Sequence, residues 1–68
     1  MTYKVNMRLG KRIKRLRKEL KISQEELAGR AKIHRTYMGR IERGESNPPV
    51  YTVYKIATAL RKSLKDLF

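Results

Sequence analysis

The chain has 68 residues and a formal net charge of +12, from 18 Lys+Arg against 6 Asp+Glu. A chain this short builds one thin core, and so large an excess of one sign repels itself until a polyanion offsets it. With no Cys and one His, His34, the sequence excludes disulfides, thiolate metal sites, cysteine nucleophiles and His-rich metal sites. Nucleic acid is the first candidate partner and an anionic membrane surface the second. No apolar run is long enough to span a bilayer and no signal-peptide core is visible, so the expected setting is reducing and cytoplasmic. At 40% apolar and 7% aromatic residues, with no useful apolar–polar alternation, the composition predicts an all-α domain and no strands.

Residues 1–6 show no period and are expected to form a flexible N-terminal arm, leaving 7–68 as the single folded domain. Leu9, Ile13, Leu16 and Leu20 then step by four, three and four, one stripe of a basic amphipathic helix. Ser23 and Glu26 have the spacing of a capping box, and Ile22 and Leu27 that of a hydrophobic staple, so a second helix starts at Ser23 and ends near Lys32. Ile33 and Met38 repeat the staple spacing, which starts a third helix at His34; it runs to about Arg43 and stops at Gly44. Two short helices joined by about three residues form a helix-turn-helix candidate. Glu45-Ser46-Asn47-Pro48-Pro49 reads as a loop. A fourth helix follows from Pro49, with Val50, Val53, Ala57 and Leu60 inward. Ser63 caps a short fifth helix bearing Leu64, Leu67 and Phe68.

On a helical wheel of about 100° per residue, Met38, Ile41 and His34 share one side of the third helix. Thr36, Arg40 and Arg43 fall opposite, Arg35 on the flank of the exposed first turn, and Tyr37 between the faces. This places a basic, polar surface on the helix that follows the short turn. Enzyme chemistry finds no support. His34 has no second His or Cys, no Ser has a His partner, no two carboxylates share an obvious cleft, and the four glycines form no phosphate loop.

Taken in order, Ser23-Gln24-Glu25-Glu26-Leu27-Ala28, Ala31, Ile33, Tyr37-Met38, Ile41-Glu42-Arg43-Gly44, Asn47-Pro48 and Lys55-Ile56-Ala57-Thr58-Ala59-Leu60 resemble the Cro/repressor-type (XRE) helix-turn-helix family. The likeness covers about residues 9–68. His34-Arg35-Thr36-Tyr37 with Gly39 and Glu42-Arg43-Gly44 is also similar to the controller proteins of restriction–modification systems. The resemblance implies a compact, lambda-repressor-like five-helix domain that binds double-stranded operator DNA as a homodimer, with the third helix in the major groove. By position, Arg35, Thr36, Gly39 and Arg40 would read bases. Gln24, Tyr37, Arg43, Ser46 and Asn47 would meet the DNA backbone, Tyr37 by its hydroxyl unless it packs inward. Tyr54, Leu67 and Phe68 are more apolar surface than five short helices cover and would form the dimer interface, with Val53 joining them or staying in the core. The Glu of the I-E-x-G block, Glu42, would pair with Arg17 of the first helix.

The sequence departs from the family at Lys21, Lys32 and Arg61, where glycine is common just past a helix; left-handed backbone at those residues would carry strain. No cofactor, metal, membrane or small-molecule ligand is expected, so regulation would act through concentration, dimerisation and operator arrangement. The rival readings are a non-specific nucleoid or RNA-binding protein, an antitoxin-like autoregulator and a cationic membrane helix.

Overall fold

A computed structural model describes the backbone of residues 2–68 and the side chains from residue 4 onward. Four α-helices follow in order: α1 Thr2–Glu19, α2 Gln24–Ala31, α3 Arg35–Glu42 and α4 Val50–Ala59. The fifth helix expected from Ser63 is a single 3-10 turn, Leu64–Leu67, so the fold has four α-helices rather than five. No strand occurs among the described residues.

The apolar stripe organises the packing. Leu9, Ile13 and Leu16 of α1 meet Leu27, Ala28 and Ala31 of α2, Met38 and Ile41 of α3, Val53, Ile56 and Ala57 of α4, and Leu60 and Leu67 beyond it. Burying each of the larger side chains contributes about 1.5–3 kcal/mol. α2 lies against both α3 and α4, and α1 against α3. Gly10 sets the closeness of that last contact: a Cβ there would collide with the carbonyl oxygens of Ile41 and Glu42.

Several boundaries differ from the sequence reading, each for a local reason. α1 begins at Thr2, not after a flexible segment, and Asn6 is buried. Asn6 stands three positions before Leu9 and extends the stripe, which a search for apolar residues alone stops short of; Met1 lies outside the described residues. Leu20 is exposed because α1 has ended at Glu19 and the chain turns at Lys21. Pro49 is the N-cap of α4 and not its first helical residue. Val50 is 70% exposed, at the margin of the buried stripe, and Ile56 holds the core position instead.

The helix ends show which local signals act. Ser23 Oγ accepts from the Glu26 N–H at 3.0 Å. The Glu26 carboxylate turns to Arg30 at 2.7 Å, so only half of the expected capping box forms. At the 3-10 turn, Asp66 accepts from the Ser63 N–H at 2.9 Å and from its hydroxyl at 3.0 Å. These bonds, the backbone one first, hold the Asp66 carboxyl below its ordinary pKa. Lys21, Lys32 and Arg61 all take left-handed backbone, with φ of 59°, 59° and 60°. The helix ends that glycine commonly serves are thus closed by three basic residues.

Candidate nucleic-acid interface

The interface is built on α2, the turn Lys32-Ile33-His34, and α3. His34 caps α3 by accepting the Thr36 N–H on Nδ1 at 3.0 Å. That bond fixes the helix start and leaves the Arg35 and Thr36 side chains exposed in its first turn. Met38 and Ile41 anchor the inner face of α3 in the core, so Arg40 points outward with Arg35 and Thr36. An open cleft of about 460 Å³ separates the α2 and α3 termini; Gln24, Arg35, Thr36, Gly39 and Arg43 line it.

Under this cleft lies a buried ion pair. Arg17 Nε donates to Glu42 Oε2 at 2.8 Å and Nη2 to Oε1 at 3.1 Å. The Glu42 side chain is 1% exposed and that of Arg17 11%. Arg17 Nη1 also donates to the Ile22 carbonyl at 3.0 Å, and Gln24 Nε2 to Glu42 Oε1 at 2.9 Å. One carboxylate therefore ties α1, the start of α2 and the end of α3 together, which sets how the two helices of the motif are presented. The Arg17–Glu42 pair expected from the family resemblance is present, with the planar two-bond geometry that favours Arg at such sites.

The predicted site residues occupy distinct environments. Arg35 and Arg40 are exposed; Arg35 Nη1 approaches Glu25 Oε1 at 3.7 Å, with both side chains mostly in solvent. Gly39 is buried under the cleft, where a Cβ would stand 3.1 Å from Arg43 Nη1 and 3.4 Å from Gln24 Oε1. Gly39 thus makes room for its own neighbours as well as for an approaching surface. Tyr37 is half-buried and packs against the core. Arg43 donates from Nε and Nη2 to Glu45 at 3.0 and 3.2 Å. This bonding raises the Arg43 pKa and lowers that of Glu45. Ser46 is half-buried and Asn47 exposed in the loop beyond.

The expected dimer residues divide. Tyr54 and Phe68 are exposed, whereas Val53 and Leu67 are 2% and 1% exposed inside the protomer's own core. Val53 and Leu67 cannot form an interface without unpacking that core, which corrects their assignment. Val50 and Tyr51 add exposed apolar surface that the sequence reading missed, with Lys55 Nζ 5.2 Å from the centre of the Tyr51 ring. Sequence reasoning also missed the Gln24–Glu42 and Arg43–Glu45 contacts. Only the i,i+2 placement of opposite charges hinted at the second.

No helix among the described residues is long and apolar enough to cross a membrane. A short turn joins two helices, the second exposing Arg35, Thr36 and Arg40: the molecule is a helix-turn-helix protein. The chain belongs to the XRE-type helix-turn-helix family (HTH_3) of DNA-binding transcription regulators, whose profile matches residues 13–67. It is 37% identical over 68 residues to the control protein C.BamHI of Bacillus amyloliquefaciens, spanning 98% of this chain and 84% of that one. It is 44% identical over 54 residues to the immunity repressor of Bacillus phage phi105, 79% of this chain but only 38% of the repressor. The crystal structure of the restriction–modification controller protein C.AhdI from Aeromonas hydrophila superposes with a TM-score of 0.91 at 36% identity, covering 93% of this chain and 96% of that one.

Proposed function

We propose that the protein is a sequence-specific transcription regulator that binds a pseudo-palindromic operator as a homodimer. One observation carries this reading: the outer face of α3 holds Arg35, Thr36 and Arg40 in solvent while its inner face is locked by Met38, Ile41 and the buried Glu42. A rigid helix with forked donors outward is the requirement for base reading in the major groove. Arg35 and Arg40 each match guanine O6 and N7, and Thr36 offers a methyl or a hydroxyl to a base edge. Gln24, Arg43, Ser46 and Asn47 hold phosphates and set register without reading sequence. Gln24 does so with the amide hydrogen that Glu42 leaves free. Tyr37 packs against the core, the alternative to a hydroxyl contact, and is not assigned a phosphate.

The dimer surface takes its apolar content from Val50, Tyr51, Tyr54 and Phe68, all more than half exposed. Two copies present two α3 helices, so operator half-sites lie about one turn, or a small multiple, apart. Likeness to C.BamHI, at 84% of that protein's length, and to C.AhdI supports a control-protein role over the whole chain. Likeness to the phage repressor is confined to part of that protein. The genes beside its own separate the cases: a methyltransferase and endonuclease, a toxin, or phage genes.

Selection from random duplexes tests the proposal. The expected product is one pseudo-palindrome with at least one G per half-site, preferred over scrambled DNA by roughly 10³ or more at fixed salt. Retention of all sequences about equally would replace it with the non-specific nucleoid reading.

A further inference from the structure

The proposed operator contact leaves the strongest charge feature of the molecule unused. α1 packs on the inner side of α3 through Gly10 and Arg17, both buried. Its outer face therefore points away from the surface that carries Arg35 and Arg40. On that outer face Lys4, Arg8, Lys11, Arg15 and Lys18 are exposed at steps of four, three, four and three, a single row about 21 Å long. Lys14 stands exposed beside it and Arg12 is half-buried. The one carboxylate on α1 is Glu19, which Arg15 meets at 3.9 Å. Among the described residues, Lys4, Arg8, Lys11, Arg12, Lys14 and Lys18 have no carboxylate within 4.0 Å. Like charges three and four apart destabilise a helix, so α1 carries a repulsion that the Arg15–Glu19 pair offsets only in part.

We propose that the outer face of α1 is a second DNA-binding surface, gripping the sugar-phosphate backbone of a duplex other than the operator under α3. The inference rests on the operator reading above, since it needs α3 already occupied. The row is charge alone over most of its length; among the described side chains Val5 is the one exposed apolar residue near its start, and Leu20 lies past its end. Such a surface suits a partner that is a regular polyanion, and a duplex presents one negative charge per roughly 1.7 Å of axis. A bilayer surface needs a stripe of apolar residues to insert, and Leu9, Ile13 and Leu16 of α1 are committed to the core. The domain measures 30 × 24 × 20 Å. Two duplexes on opposite faces thus stand farther apart than the screening length of about 8 Å at physiological salt. Their mutual repulsion does not forbid the ternary complex, and the protein bridges DNA.

A capture experiment decides this. Operator duplex is fixed to beads and saturated with protein, unbound protein is washed away, and a labelled duplex lacking the operator is added. The wild type should retain the labelled duplex. The Arg8→Gln/Lys11→Gln/Lys18→Gln variant, altered at exposed positions without ion pairs, should keep its helical circular dichroism and its operator-to-scrambled preference. It should capture at least roughly tenfold less second duplex. Protein held on the beads without captured duplex overturns the proposal, as does equal capture by the triple variant or binding to anionic vesicles in place of the second duplex. Protein that fails to stay on the operator beads would instead count against the operator reading itself.

Discussion

Glu42 is the residue on which the geometry of the motif turns. It accepts from Arg17 twice and from Gln24 once, and its side chain is nearly without solvent. Removing one partner of such a pair leaves the other charge buried and uncompensated, at about 3–5 kcal/mol. Arg17→Ala should therefore lower Tm by more than about 12 °C in thermal unfolding. Arg17→Met combined with Glu42→Leu should recover much of that loss, because an apolar pair of similar volume avoids the desolvation. A single variant as stable as wild type would remove Glu42 from the centre of the account. The Arg17 partner was legible through the family likeness, since both residues stand at matching positions. Gln24 was not fully legible: its place at the start of α2 suggested a phosphate contact, and sequence spacing carries no signal for the sideways reach of its amide to α3. Arg43 poses a related case, since Glu45 occupies the guanidinium proposed for phosphate. Glu45→Gln should raise affinity for operator and scrambled duplex alike, by roughly 2- to 10-fold at low salt, in a filter-binding or anisotropy titration. The Glu45 pKa is depressed, chiefly by its hydrogen bond from Arg43. The pair's contribution is thus present above the ordinary carboxylate value and lost only as pH falls through the lowered one. At neutral pH the Arg43–Glu45 pair is intact, and a phosphate contact by Arg43, as proposed, would have to compete with it.

At the scale of elements, the helix ends carry the most specific physical content. Lys21, Lys32 and Arg61 sit in left-handed backbone that glycine adopts without strain. Strain of about 1–2 kcal/mol at each is offset by reduced freedom in the unfolded chain, about 0.4–1 kcal/mol, and by a cation near a helix C-terminus, about 0.3–1 kcal/mol. Lys32→Gly should accordingly change unfolding stability in urea by less than about 1 kcal/mol. Lys32→Val should destabilise clearly, because a β-branched side chain tolerates positive φ worst. A large gain from Lys32→Gly would show that strain dominates these caps. These turns were legible because each basic residue follows an apolar period and stands where the family has glycine. The start of α1 was not, because Asn6 extends a buried stripe with a polar side chain. The end of α4's inward face was misplaced for a different reason. Val50 shares the stripe's side of the helix but lies in its first turn, beyond the edge of the core.

At the scale of the molecule, an apolar surface on α4 remains uncovered once the core is closed. Val50, Tyr51 and Tyr54 stand exposed on α4, apolar surface of the kind that a second copy would cover in the proposed dimer. Sedimentation should show a dimer at tens of micromolar without DNA. Tyr51→Glu with Tyr54→Glu should give a folded monomer, since neither side chain belongs to the core. A wild-type monomer under those conditions would contradict the dimer. Sequence placed the interface in the C-terminal third but chose Val53 and Leu67, which the protomer buries for itself. Apolar character marks what is hidden, and only packing tells whether the same chain or a second copy hides it.

The most direct test of the account is a titration of four proteins against operator and scrambled duplex at two salt concentrations. Arg35→Ala and Arg40→Ala should each cost roughly 1–3 kcal/mol on the operator and relax preference at one base pair. Arg43→Ala should weaken both duplexes about equally and reduce the salt slope by about one relative to wild type. If Arg35→Ala and Arg40→Ala both leave the specificity ratio unchanged, α3 does not read bases and the central claim is wrong.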